Sequence, residues 1–236
     1  MIDGTGREPL ERASIPIKGG RISAVDRVDK VRPPAECRVV DVSERTVMPG
    51  MIDCHFHGAY QDVTCWGDYD LRRPIEHTTL LAARNAQTLL EVGFTAARDT
   101  GTRGLIAVAI RDLPEAGVLM APRLKAGGRI ISSTGGLADA YGDWVENRTS
   151  LGQVADGPMD VLKAVRQQIK YGVDNTKIEA SGTGISPYSA SRKQTMSREE
   201  MAIACRRGPS QRRARGVSCT GHGRDQERCP GRGRHR

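Results

Sequence analysis

The chain has 236 residues, of which 38% are hydrophobic and 27% charged, an ordinary globular composition that excludes a disordered chain. Its longest apolar run, around residues 105–110, is far shorter than the roughly 18 residues of a membrane span, so no membrane partner is expected. No secretory signal is visible at the N-terminus, and we expect a cytoplasmic protein. The 6 cysteines lack regular spacing and fit reduced thiols.

The formal net charge of +8 comes entirely from the C-terminal segment. Ten of the 36 Lys and Arg residues, but only two of the 28 Asp and Glu residues, lie within 204–236, which leaves 26 of each in residues 1–203. The segment has no aromatic residue, and Val217 is its only aliphatic residue larger than Ala. A segment of this composition cannot form a packed core, so we predict a disordered Arg/Gly-rich tail over 204–236.

Residues 1–48 are predicted to form a small β-rich unit. Short apolar stretches at 13–17, 21–25 and 38–42 alternate with Gly and Pro pairs, as strands joined by turns do.

From residue 47 onward, predicted strands and helices alternate. The strands are at 47–54, 94–98, 123–131 and 176–180, and the helices are at 74–91, 105–116 and around 161–169. This order implies an α/β fold with a mainly parallel sheet, either open or closed into a barrel. A full (β/α)8 barrel takes about 250 residues, and only about four βα units are present. We therefore predict a partial (β/α)8 barrel over 49–203.

The pattern breaks after Ile203. Ser197 and Glu200 form a capping-box motif that predicts a helix start, yet Pro209 falls where the helix interior should be. Codons for residues 221–236, displaced by one base, permit the string ATGATKSAARAGVDT, which ends like residues 171–174. We hypothesise a frameshift shortly after Ile203; an unbroken frame on resequencing, with no homologous continuation out of phase, would refute it.

The sharpest motif is MPGMIDCHFH at residues 48–57. Residues two apart on a strand face the same way, so His55 and His57 can present two imidazoles to one metal ion. Asp53 lies on the same side and can orient the imidazoles through hydrogen bonds. Cys54 points to the opposite face and is interpreted as a packed thiol rather than a ligand.

These motifs resemble the amidohydrolase superfamily, particularly its imidazolonepropionase-like and Xaa-Pro dipeptidase-like branch. The resemblance covers residues 1–203 and also rests on TAARDTG at 95–101 and KIEASGTGISP at 177–187. It implies a distorted (β/α)8 barrel, a small β-sandwich built from both chain ends, and two divalent metal ions, with zinc expected. It further implies that a carboxylated Lys177 bridges the metals and that His55 and His57 bind one of them. An unmodified Lys177 paired with Glu179 stays open as the alternative.

The implied reaction is hydrolysis of an amide or other C–N bond by metal-activated water. The substrate would be a small molecule or a dipeptide-like amide, of peptidase or imidazolone type, and the complete protein could be a homo-oligomer. The family also uses His ligands from the fifth and sixth strands and a general-base Asp from the eighth. None of these has a matching position in this chain, so we expect little or no activity from the chain as written.

Further residues are expected to surround the site. Ser181 and Gly182, like the Gly-rich segment 133–136, are predicted to line the substrate mouth. Arg98 and Asp99 match a family motif, and we expect them to follow the second strand and form a salt-bridged rim.

Two other functional classes stay open. Cys219, His222, Cys229 and His235 lie among arginines and could form a minor zinc site in a nucleic-acid-binding tail, although their spacing matches no common zinc finger. Because the tail has no aromatic residue to stack on bases, no specific nucleic-acid partner is expected. The third hypothesis is that the chain is an inactive half-barrel remnant with uncovered strand edges.

Overall fold

The structure is a computed structural model that describes residues 1–31, 33–34, 36–60, 63–145, 151–184, 186–189, 193–205 and 216–220. The chain divides into two compact units, Met1–Met51 and Ile52–Arg236, whereas the sequence-based boundary lies between residues 48 and 49. Among the helices in the described ranges, none has the length and apolar content needed to cross a bilayer.

The N-terminal unit consists of very short antiparallel ladders. Its strands are β1 (Ala13–Ser14), β2 (Ile17–Lys18), β3 (Arg21–Ile22) and β4 (Asp26–Arg27), with β1 paired to β4 and β2 to β3. The strand predicted at 38–42 is wrong, because Val39 and Val40 are 70% and 68% exposed and no strand forms there. A strand needs a neighbour for its backbone groups, and the described part of this unit supplies none to 38–42.

The second unit alternates strands and helices as predicted. Its elements are β5 (Met51–Phe56), α1 (Trp66–Asp70), α2 (Ile75–Glu91), β6 (Phe94–Asp99), α3 (Ile106–Asp112), β7 (Arg123–Lys125), β8 (Ile130–Ser132), β9 (Gly152–Val154), α4 (Gly157–Lys170), β10 (Asn175–Glu179), α5 (Arg198–Cys205) and β11 (Gly216–Thr220). Two sheets form, in the orders β5-β6-β7 and β11-β10-β8-β9. Parallel pairing joins β6 to β7, β8 to β9 and β10, and β10 to β11. The α/β class with parallel sheets is thus confirmed, and the described strands do not close into a barrel.

The predicted third strand, 123–131, is divided into β7 and β8 by residues 126–129. Within this break the chain passes close to β6, because a Cβ on Gly127 would lie 2.7 Å from the main-chain oxygen of Asp99. The backbone N–H groups of Asp174 and Asn175 donate to the oxygen of Ala126 at 2.8 and 3.2 Å. The broken strand is therefore held by the residues that lead into β10.

The apolar core of this unit lies between the strands and the helices that cover them. One cluster joins α2, α3, β6 and β7 through Ala82, Ala97, Ile106, Ile110 and Leu124. A second cluster joins β8, α4, β10 and α5 through Ile131, Val161, Ile178 and Ala204. Helix α3 ends at Asp112, earlier than predicted, because Pro114 cannot continue it.

The capping box at the start of α5 is confirmed in both directions. The backbone N–H of Glu200 donates to Ser197 Oγ at 3.2 Å, and the N–H of Ser197 donates to Glu200 Oε2 at 2.6 Å. The other carboxylate oxygen of Glu200 accepts the N–H of Gly157, the first residue of α4, at 2.6 Å. One side chain therefore satisfies backbone donors at the N-termini of two helices.

The predicted disorder of the tail does not hold for Gly216–Thr220. These residues form β11, which pairs in parallel with β10 and has Ser218 opposite Lys177 in the register. The pairing satisfies backbone groups that would otherwise be unpaired at the edge of β10. Residues 206–215 and 221–236, with His222, Cys229 and His235, lie outside the described residues. The frameshift and the tail zinc site therefore stay hypotheses.

Candidate metal centre

The two histidines of the MPGMIDCHFH motif meet through their ring nitrogens. His55 is in β5 and His57 follows one residue beyond its end. Their Nε2 atoms are 3.2 Å apart, and their rings meet edge to face at 5.1 Å. The structure thus brings together the pair that the sequence predicted.

His57 is fixed by three contacts. Its Nδ1 lies 2.9 Å from the main-chain oxygen of Gly101, and its ring stacks on Tyr60 at 4.3 Å with an interplanar angle of 7°. Thr100 Oγ1 lies 3.2 Å from Nε2. Because a carbonyl oxygen only accepts, Nδ1 carries the proton and the Nε2 of the neutral ring has a lone pair for a ligand.

Both imidazoles are neutral at pH 7. Burial lowers the pKa of His57 to about 4, against the opposing effect of the hydrogen bond to Gly101. Burial, followed by the positive charge of Lys177, also lowers the pKa of His55 from 6.5. Metal ions bind the neutral form of histidine, so neither ring has to lose a proton first.

Asp53 and Cys54 differ from expectation. Asp53 Oδ1 accepts the backbone N–H of His55 at 2.9 Å, so the contact it makes in this structure braces the strand and not an imidazole ring. Strand alternation turns Cys54 away from His55, but Cys54 is exposed rather than packed. The reason is that β5 lies at the end of its sheet and most of its residues are exposed.

The expected salt-bridged rim at Arg98 and Asp99 is wrong. Both residues lie within β6, and strand alternation exposes Arg98 while leaving Asp99 only 2% exposed. Asp99 Oδ1 accepts the N–H of Gly101 at 3.0 Å, and the N–H of Gly58 also donates to its carboxyl group. Burial raises the pKa of Asp99 to about 7 despite these hydrogen bonds. Asp99 therefore supports the two loop segments that flank His57.

Lys177 is buried in the middle of β10, with 2% of its surface exposed. Its Nζ lies 3.6 Å from Glu179 Oε2, which is the ion pair that the alternative interpretation described. Glu179 is two residues further along β10 and faces the same way. The charge of Lys177 contributes to the lowered pKa values of His55 and His57, so it lies within electrostatic range of both rings.

The two Gly-rich segments meet at the C-terminal ends of neighbouring strands. Segment 133–136 follows β8, and Ser181 and Gly182 follow β10. The N–H of Leu137 donates to the oxygen of Ser181 at 3.3 Å, and the N–H of Gly182 donates to the oxygen of Lys193 at 3.2 Å. Active sites of barrel enzymes lie at this end of the strands, which favours a role for these segments in lining the substrate mouth. That role stays a prediction.

The donor set fits a divalent metal ion. Two nitrogen ligands of one tetrahedral zinc, each about 2.0–2.1 Å from it, lie about 3.3 Å apart, which matches the 3.2 Å between the two Nε2 atoms. The described residues contain no group of three or more His, Cys, Asp or Glu side chains suited to a metal. Among the described residues, a third ligand would have to be of another kind, and Lys177 becomes one only if it is carboxylated.

Sequence reasoning missed the residues that orient His57. Thr100 and Gly101 belong to the TAARDTG motif, but nothing in the motif indicates that a main-chain oxygen binds the imidazole. Gly101 has φ +141°, and a Cβ there would lie 2.5 Å from Ile130 Cγ1, so only glycine fits. The available signal was a glycine two residues after the end of a strand, in the sequence Asp99-Thr100-Gly101.

The comparisons with known proteins show the family to which the chain belongs. Residues 46–228 match the amidohydrolase family, so the chain belongs to that family and the resemblance seen in the sequence is confirmed. A curated relative, ochratoxinase from Aspergillus niger, is 29% identical over 248 aligned positions, which cover 95% of this chain and 49% of the relative. The chain thus spans about half the length of the curated relatives it matches.

Solved structures of dipeptidases are also similar. A prolidase complexed with N-methylphosphonate-L-proline has a TM-score of 0.72 and 29% identity, covering 83% of this chain and 48% of that one. A Xaa-Pro dipeptidase with methionine in its active site has a TM-score of 0.70 and 30% identity, covering 81% and 48%.

Proposed function

We propose that this chain carries part of the ligand set of a metal centre that hydrolyses amide or other C–N bonds. The observation that carries the proposal is the 3.2 Å separation of two neutral imidazole nitrogens at the end of β5. The names of the similar proteins, prolidase, Xaa-Pro dipeptidase and ochratoxinase, support a small-molecule or dipeptide-like amide as substrate.

His55 and His57 would hold one divalent ion, and in the complete protein Lys177 would bridge it to a second. Imidazole nitrogen and carboxylate-type oxygen ligands suit zinc. When bound, the metal ions act as Lewis acids that polarise the substrate carbonyl and lower the pKa of water.

Lys177 must change chemically to serve as this bridge. Its ammonium group would first lose a proton; the neutral amine would then add to the carbon of CO2 and lose a second proton, which gives a carbamate whose single negative charge is shared by two oxygens. The carbamate would face Glu179, its present ion-pair partner, with like charge. Metal ions would offset that repulsion, so carboxylation and metal binding should depend on each other.

Zinc titration of the metal-stripped protein tests the site. We expect one tightly bound ion per chain in the presence of bicarbonate, because the further His and Asp ligands of the family have no match in this chain. Tight binding should be lost in His55→Ala and His57→Ala and weakened in Lys177→Met. His77→Ala is the matched control, because His77 is an exposed histidine on α2. Tight binding that survives both histidine substitutions would disprove the proposed centre.

No residue of this chain matches the family's general base, so we propose that the 236-residue protein hydrolyses amides slowly or not at all. Turnover of an amide by the purified protein that is lost in His55→Ala would overturn this part of the proposal.

A further inference from the structure

The side chain of Asn175, at the start of β10, reaches the strand that supports His57. Its Nδ2 donates to the main-chain oxygen of Asp99 at 3.1 Å and to that of Lys125 at 3.5 Å. Because both partners are carbonyl oxygens, the NH2 group and not Oδ1 must face them. Asn175 is 3% exposed, so these bonds are shielded from bulk solvent.

From Asp99, a continuous series of contacts leads to the imidazole of His57. The Oδ1 atom of Asp99 accepts the N–H of Gly101 at 3.0 Å, and the oxygen of Gly101 contacts His57 Nδ1 at 2.9 Å. Asp99 is therefore held through its main-chain oxygen by Asn175 while its carboxyl group holds Gly101.

In the other direction, Asn175 shares β10 with Lys177. The two residues are two apart on the strand, so their side chains face the same way, and both are buried. Strands β6 and β10 belong to different sheets and do not pair in the described residues. The amide of Asn175 thus bridges strands that backbone pairing leaves unconnected.

We propose that Asn175 is a positioning residue that fixes Lys177 on β10 relative to His57 beside β6. The inference rests on the proposed metal centre, because ligands from different strands must be held to within about 0.5 Å of their working geometry. Asn175 does this through Asp99 and Gly101 and does not itself touch the metal site.

Substitution of Asn175 by leucine tests this role, because leucine has a similar volume but no donor. The readouts are zinc affinity, the ring-nitrogen NMR signals of His57 in the metal-free protein, and the thermal unfolding temperature. Gln168→Met is the matched control: Gln168 is 4% exposed on α4, and its amide donates to the main-chain oxygen of Arg129 at 3.2 Å.

We expect Asn175→Leu to weaken zinc binding by about 10- to 100-fold, the usual effect of losing a residue that orients metal ligands. The His57 ring signals should shift in the same variant, and Gln168→Met should change neither readout. Unchanged readouts in Asn175→Leu, or equal losses in both variants that follow their loss of stability, would overturn the proposal. If the leucine variant does not fold, Asn175→Thr, which suits a strand but is too short to reach Asp99, takes its place.

The two proposals can fail separately. If the wild-type protein binds no zinc, the proposed function fails. The ring signals of His57 in the metal-free variant still decide the role of Asn175: a shift supports it, and unchanged signals refute it.

Discussion

The two compact units differ sharply in how far they bury their apolar strand residues. In the N-terminal unit, Ile17 and Ile22 are 69% and 63% exposed, whereas Ile131 and Ile178 of the α/β unit are 0% exposed. A two-residue ladder offers no covering layer, but each buried strand of the α/β unit packs against a helix. Burial, which encloses Lys177 and lowers the pKa of His57, is available only where such layers exist.

The largest expected difference between the units comes from core truncation. Ile178→Ala should lower the free energy of unfolding by about 2–5 kcal/mol, because it leaves a cavity beside Ile131 and Val161. Ile22→Ala, at an exposed position, should cost less than about 0.5 kcal/mol. Urea titration of both variants measures this, and equal costs would contradict the comparison.

Buried carboxyl groups should show the next largest contrast. Burial raises the pKa of Asp70 to about 6, although Leu151 N–H and Tyr141 O–H donate to it. For an acid with a raised pKa, stability is greatest below pH 3.8 and is lost as the pH rises through about 6. Asp70→Asn should therefore raise the free energy of unfolding at pH 8 by up to about 2 kcal/mol and have little effect at pH 4.

Asp3, in the N-terminal unit, is the control for this effect. Hydrogen bonds from the side chain and backbone of Thr5 lower its pKa, so the folded state favours its charged form. Asp3→Asn should not raise stability at any pH, and the comparison fails if the pH profiles of the two variants run parallel. Thermal unfolding between pH 4 and pH 8 supplies both profiles.

The smallest expected difference concerns hydroxyl groups. Ser197→Ala should cost about 1 kcal/mol, because it removes the side-chain acceptor at the start of α5. Ser23 Oγ donates to the oxygen of Pro16 at an exposed site, so Ser23→Ala should cost less than about 0.5 kcal/mol. Chemical denaturation of both variants checks this, and a larger cost for Ser23→Ala would reverse the argument.

Regular periodicity made most of the α/β unit predictable. The spacing of apolar residues and the expected stop at Gly93 predicted the helix Ile75–Glu91 almost to the residue. Gly93 has φ +98°, a left-handed conformation that ends a helix and favours glycine. The pairing of His55 with His57 followed from strand alternation alone. These features depend on neighbours in sequence, which a pattern can represent.

Features that depend on distant contacts were not predictable. The break between β7 and β8 arises where Gly127 lies against Asp99, and the main-chain oxygen of the buried Asp99 accepts a hydrogen bond from Asn175, 76 residues further along the chain. A polar residue at a strand end looks like a solvated rim until its partners are known. The apolar stretch at 38–42 likewise looked like a strand until the lack of a partner was seen.

The position of each ligand-bearing strand within its sheet should govern how the site opens. Strand β10, with Lys177, lies between β8 and β11, whereas β5, with His55, has a neighbour on one side in the order β5-β6-β7. Amide hydrogens of a flanked strand exchange with deuterium through large-scale unfolding, while those of a terminal strand exchange by local fraying. Among the described strands, we therefore expect the amide hydrogens of β5 to exchange faster than those of β10.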